Sequence, residues 1–193
     1  MVDLGFAISA RAQYASRNYR KMTEIMKEFV TKYGLGRVRY TVITFGRQPD
    51  VKLRLDENTL SEEALKTYLE AIPRSNGGSD LAKALEKAKE VFIDDSHSDV
   101  KKILVVMMDK KSESRAEDVR EAGQQLDING ITVIAIALHE EADSRELANV
   151  TSSYRNVIVA NSTSTPTHLV EEIMRKGLKG RLKAFEVFCS FVG

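Results

Sequence analysis

Oxygen-bearing side chains cluster in three loops of this chain, and an arginine is set among them. The first loop follows the apolar run Leu4–Ile8 and reads Ser9-Ala10-Arg11-Ala12-Gln13. The second is Gly77-Gly78-Ser79-Asp80. The third, Asp109-Lys110-Lys111-Ser112-Glu113-Ser114, follows the apolar run Ile103–Met108. A ring of carboxylate and hydroxyl oxygens holds a hard cation such as Mg²⁺, which takes about six oxygens in an octahedron. A guanidinium is permanently positive and opposes such an ion at close range. The chemistry of the three loops therefore turns on Arg11 and Asp109.

Other site chemistries are poorly supplied. His97, His139 and His168 show no metal-type spacing, so a zinc site is not expected. Ser9 follows a strand but lacks the glycine-flanked elbow of a hydrolase nucleophile. Gly77-Gly78 lacks the lysine and the spacing of a phosphate-binding loop. No enzymatic activity and no cofactor are expected. The acidic residues Asp56, Asp94, Asp95, Glu140, Glu141 and Asp143 lack regular ligand spacing and read as solvated surface. Asp80 reads as the cap of the helix that begins near Leu81.

The 193 residues suffice for one domain that buries its core without disulfides. With 42% hydrophobic and 30% charged residues, the composition is ordinary for a globular protein and argues against disorder. The 29 basic and 28 acidic side chains leave a net charge of +1, so no field draws nucleic acid or an anionic membrane. No apolar run approaches the roughly 20 residues that span a bilayer, so no direct membrane insertion is expected. Met1-Val2-Asp3 leads into the first strand without a signal segment, which suits either a cytosolic protein or a module of a longer one. The single Cys189 is either a free thiol or one half of a bridge to a segment outside this chain. Two sequons, Asn149-Val150-Thr151 and Asn161-Ser162-Thr163, fall at expected loop positions. They read as glycosylation acceptors of a secreted protein or as unmodified loop asparagines.

The elements that must position the three loops follow from hydrophobic period. Leu4–Ile8, Ile103–Met108 and Ile131–Leu138 are nearly continuous in apolar residues, as in parallel strands covered on both faces. Val38–Phe45 and Val157–Ala160 are further strand-like runs. Val51–Leu55 alternates, with Lys52 and Arg54 on one side, and its short link through Gly46, Pro49 and Asp50 predicts an antiparallel edge hairpin. Met22, Ile25, Met26, Phe29 and Val30 form a helical stripe. Further helices are predicted from Ser61 towards Ala71, over Leu81–Phe92, over Arg115–Leu126, over Ser144–Asn149 and from Thr165-Pro166 onward. This order predicts a doubly wound α/β fold: a mostly parallel six-stranded sheet, one antiparallel edge strand, and helices on both faces. Ligands of such sheets bind at the carboxyl ends of the strands. Residues 1–179 are expected to form the domain and 180–193 a tail or linker.

In this order, the Asp3–Ile8 strand, Asn18-Tyr19 and then Phe29-Val30 on the first helix, Arg37–Gly46, Gly77-Gly78-Ser79 with Lys83-Ala84-Leu85, Lys102–Asp109 and Asn129–Ala137 resemble the von Willebrand factor type A domain, the I domain of integrins. The resemblance covers about Val2 to Lys179. It implies a Rossmann-like sheet and, in the family's usual form, a metal-ion-dependent adhesion site. That site is an Asp-x-Ser-x-Ser loop, a threonine on the second loop and an aspartate on the third. Laid on this chain, Ser9 stands for the first aspartate, Arg11 and Gln13 for the two serines, Ser79 for the threonine and Asp109 for the second aspartate. The site is thus degenerate, and no metal is expected. Arg11 either reaches Asp109 through a charge-assisted hydrogen bond or points into solvent; both exclude tight Mg²⁺ binding.

What the resemblance implies is a non-enzymatic module of an extracellular matrix or adhesion protein, as in collagen-associated A domains. Its partners would be other proteins, matrix or cell-surface components, bound through a metal-independent rim of Ser9, Arg11, Gln13, Ser79, Asp80, Asp109 and Lys110, with Arg17 and Lys111 beside them. The alternative is an intracellular, cytoplasmic scaffold subunit of a multiprotein complex.

Overall fold

In the computed structural model, which describes residues 1–10, 16–57, 60–74, 77–97, 99–151 and 153–178, the apolar runs become one six-stranded sheet. The strands are β1 (Val2–Ser9), β2 (Val38–Phe45), β3 (Pro49–Leu53), β4 (Lys101–Met108), β5 (Ile131–Ala137) and β6 (Val157–Val159). They lie in the order β3-β2-β1-β4-β5-β6. All pairings are parallel except β2 with β3, whose register shifts between Val42 and Ile43. Strand order reverses beside β1, so the ends of β1 and β4 open the crevice where doubly wound sheets take ligands.

The helices are α1 (Ser16–Tyr33), α2 (Glu62–Ala71), α3 (Leu81–Asp95), α4 (Ala116–Ile128), α5 (Ser144–Thr151) and α6 (Pro166–Gly177). Their starts follow capping chemistry. Ser61 accepts from the Ala64 N–H, Asp80 from Lys83 N–H, and Thr165 from His168 N–H ahead of Pro166. Because strand side chains alternate between faces, each central strand feeds two cores. Leu4, Phe6 and Ile8 join Met22, Phe29, Ile173 and Met174 under α1, α2 and α6. Ala7, Val106 and Met108 join Leu85, Phe92, Leu126 and Leu147 under α3, α4 and α5.

Gly5 is required on the second face. A Cβ there would stand 2.9 Å from the Phe92 ring and 3.1 Å from the Thr41 methyl. Asp3, one alternation earlier on the same face, is fully buried and takes two bonds from its β2 partner Arg39: Nε to Oδ1 at 2.8 Å and Nη2 to Oδ2 at 2.7 Å. The Ser96 hydroxyl also donates to Asp3.

Three expectations change. Leu55 leaves the edge strand, which ends at Leu53, and enters a single 3-10 turn over Leu55–Glu57. Asp95 is not solvated surface: its side chain is 6% exposed at the end of α3 and accepts from Arg54 Nη2 at 2.6 Å. Finally, α5 runs on to Thr151, so Asn149 is helical rather than in a loop. Thr151 is buried there, its hydroxyl donating to the Ser153 carbonyl at 2.7 Å, whereas Asn161 is exposed after β6. Among the described residues, no helix is long and apolar enough to cross a membrane. The tail from residue 180, with Cys189, lies outside the described residues.

Candidate functional site: the rim at the carboxyl ends of β1 and β4

Register brings two of the three loops together before any loop contact is needed. Ile8 pairs with Met107 across β1 and β4, so Ser9 and Asp109 leave adjacent strands one and two residues later. The second loop is tied to the β2–β3 connection and to the third loop: Asp80 N–H donates to the Gly46 carbonyl at 2.7 Å, and Glu113 N–H to the Ser79 carbonyl at 2.8 Å. Ser114 completes the tie, its hydroxyl donating to Asp80 Oδ1 at 3.0 Å while accepting the Ala82 N–H at 3.1 Å. Gly78 is the close-approach point, because a Cβ there would overlap the Glu113 carboxylate.

The three loops therefore converge. Ser9, Ser79 and Asp109 are exposed by 3%, 1% and 9%. The Ser9 and Ser79 hydroxyls have no hydrogen-bond partner among the described residues, which leaves donor and acceptor capacity at the rim. Arg11 and Gln13 lie outside the described residues. Asp80 sits beside this group but is committed elsewhere: it caps α3, and Lys83 Nζ stands 2.9 Å from its Oδ2. Partial burial raises its pKa, but the bonds from Lys83 and Ser114 outweigh that and hold the carboxyl below its usual range.

The third loop is fastened to the segment after β5. Lys110 pairs with Glu141 at 3.3 Å and Lys111 with Asp143 at 3.2 Å. Lys111 N–H donates to the Glu141 carbonyl at 2.8 Å. Buried Glu146 accepts from Ser112 N–H at 3.0 Å and from the Ser112 hydroxyl. Asp143 is half-buried rather than freely solvated. Burial raises its pKa, but backbone N–H groups and Lys111 together lower it below the usual value. These ties join residues 30 to 34 apart in sequence, and no local spacing announces them.

A divalent ion is what the resemblance would place here, and the described part of the donor set is poor in carboxylates. At the matching positions the described residues offer the Asp109 carboxylate and two neutral hydroxyls, one formal negative charge against two positive. Among the described residues, no group of three or more His, Cys, Asp or Glu is placed to hold a metal.

A family model described as the von Willebrand factor type A domain matches residues 3–174. Among solved structures, the chain is similar to proximal thread matrix protein 1 from the mussel byssus, with 24% identity and a TM-score of 0.77. That match covers 90% of this chain and 47% of the mussel chain. Another structure of the mussel protein, matched at the same identity, TM-score and coverage, has a zinc-occupied MIDAS motif. Manganese-loaded TRAP protein of Plasmodium vivax is similar at 13% identity and a TM-score of 0.74, over 90% of this chain and 72% of that one. A von Willebrand factor type A protein from Catenulispora acidiphila matches at 18% identity and a TM-score of 0.73, over 93% and 42%. The chain thus spans about half the length of the mussel protein. At these identities the likeness is one of fold.

Proposed function

The chain belongs to the von Willebrand factor type A family, and we propose that it is a non-enzymatic protein-interaction module of an extracellular matrix or adhesion protein that grips its partner without a metal ion. Domains of this family are typically interaction modules, and the byssus matrix protein lends weight to the matrix setting. The observation that carries the metal-independent part is the rim itself. Its matched positions gather one carboxylate, Asp109, and the buried hydroxyls of Ser9 and Ser79, which suits hydrogen bonding to a partner better than charge neutralisation of a dication. Arg11 and Gln13 flank these groups in sequence, and Lys110 stands next to Asp109, so the surface offers both signs of charge. A single module over residues 1–179 would carry this surface, with 180–193 as a linker.

The test is capture of purified matrix and cell-surface proteins on the immobilised chain, with and without EDTA. Retention should be the same in both buffers and fall about tenfold in Asp109→Lys, which inverts the rim's charge. Retention abolished by EDTA would overturn the proposal. Ser79→Ala is a milder companion variant, losing one buried hydroxyl without adding charge.

A further inference from the structure

A pocket of about 480 Å³ lies at the carboxyl ends of β5 and β6, against the start of α1. Its lining shares none of Ser9, Ser79 and Asp109, and Arg17, expected beside the rim, lines this pocket instead, on the face of the sheet opposite α3. Arg17 and Lys21 of α1 line one wall, one helical turn apart, so two like charges face each other. Among the described residues, no carboxylate lies within ion-pair distance of either. Lys21 Nζ instead donates to the Asn161 carbonyl oxygen at 3.1 Å. Such a pair is unfavourable unless an anion joins it. Burial and then the neighbouring Arg17 push the Lys21 ammonium below its usual pKa, with Glu24 offsetting part of the effect.

The rest of the pocket fixes what kind of anion fits. Glu140 lines it as well, so two cations and one carboxylate leave a single positive charge. That balances one carboxylate and leaves the further charges of a polyanion uncompensated. His139 Nδ1 accepts the Glu141 N–H at 3.2 Å, which places the proton of the neutral ring on Nε2 as a donor. Ser162 adds a hydroxyl, and Leu138 with Ala160 supplies apolar surface for a side-chain stem. The volume falls in the range of small-ligand sites.

We infer that this pocket receives a single aspartate or glutamate side chain of an acidic partner segment, with Arg17 and Lys21 as its counter-charges and no metal between them. The inference rests on the reading of the chain as an interaction module and names the chemistry of its partner.

The experiment is amide NMR of the ¹⁵N-labelled full chain in EDTA, titrated with the capped tripeptide Ac-Gly-Asp-Gly-NH₂. The asparagine analogue and a heparin-derived hexasaccharide are run in parallel. The aspartate peptide should give saturable shifts at Lys21, His139 and Ser162, and the asparagine peptide none. Arg17→Gln with Lys21→Gln should weaken binding about tenfold or more, while Arg17→Lys with Lys21→Arg retains most of it. Unchanged amide shifts elsewhere in the spectrum would show that both variants fold. An equal response to the asparagine peptide, unaltered affinity in the glutamine variant, absent shifts, or tighter binding of the hexasaccharide would each overturn the inference. None of these outcomes touches the capture assay, which reads substitutions at Ser79 and Asp109.

Discussion

Arg39→Ala is expected to cost about 3–5 kcal/mol of folding stability, because it strands a carboxylate inside the protein. Asp3 is fully buried, and both of its oxygens are held by the Arg39 guanidinium. Ser96 remains as a partner in the variant, but one neutral hydroxyl does not offset the desolvation of a charge. The loss is a large share of the roughly 5–15 kcal/mol that holds a typical domain. For a domain of this size it lowers the thermal midpoint by roughly 6–20 °C. Urea unfolding of Arg39→Ala, Arg39→Lys and the double variant Asp3→Leu/Arg39→Leu separates the causes. The lysine loses the two-pronged fork and falls between wild type and alanine. The apolar pair removes both charges and is less damaging than Arg39→Ala alone. A midpoint for Arg39→Ala within 2 °C of wild type would show that Asp3 is not held as described.

The second large effect is expected at Gly123→Val. Gly123 lies inside α4, where an alanine would ordinarily favour the helix by about 1 kcal/mol. Here a Cβ would stand 2.6 Å from the Val150 carbonyl oxygen and 2.9 Å from that of Asn149. These are backbone atoms of α5, which is itself packed on α4 and β5, so the neighbour does not move aside as a flexible side chain would. Overpacking therefore outweighs propensity, and valine is expected to destabilise by about 3 kcal/mol. That corresponds to roughly 6–12 °C in the thermal midpoint. The damage reaches the rim, because α5 carries Glu146, which fastens Ser112 of the third loop. Hydrogen exchange at Ser112 and Glu113 should accelerate in Gly123→Val more than exchange in β1. Unchanged stability would mean that the α4–α5 contact is looser than the structure has it.

Much of this architecture is legible in the residues because burial on two faces demands continuous apolar runs. Leu4–Ile8, Ile103–Met108 and Ile131–Leu138 announced the central parallel strands, and the alternation around Lys52 announced the edge. The stripe of Met22, Ile25, Met26, Phe29 and Val30 is fully buried, as its helical period required. What local spacing does not carry is long-range pairing. The bond of Ser112 to Glu146 and that of Arg54 to Asp95 join residues whose sequence neighbourhoods look merely polar. Asp3 and Arg39 did leave a signal, opposite charges at the same register of two apolar strands, but it becomes visible only once β1 and β2 are known to pair. The helix predicted over Ser144–Asn149 stops two residues short of the end of α5. Its helix continues because Leu147, Val150 and Thr151 bury against the sheet and α4.

The candidate site divides in the same way. Positions at strand ends, Ser9 and Asp109, follow from register. Ser79 and its convergence on them depend on backbone bonds from Glu113 and Asp80 that the sequence does not reveal. The pocket beside α1 is not legible in the sequence because its residues come from three segments that only the fold brings together.

Calorimetric titration of the chain with Mg²⁺, Mn²⁺ and Ca²⁺ tests most directly whether the rim works without a divalent ion. The expected result is no saturable heat for any ion tighter than about 1 mM, in wild type and in Asp109→Ala alike. Stoichiometric binding at roughly 100 μM or tighter, lost in Asp109→Ala, would contradict the account.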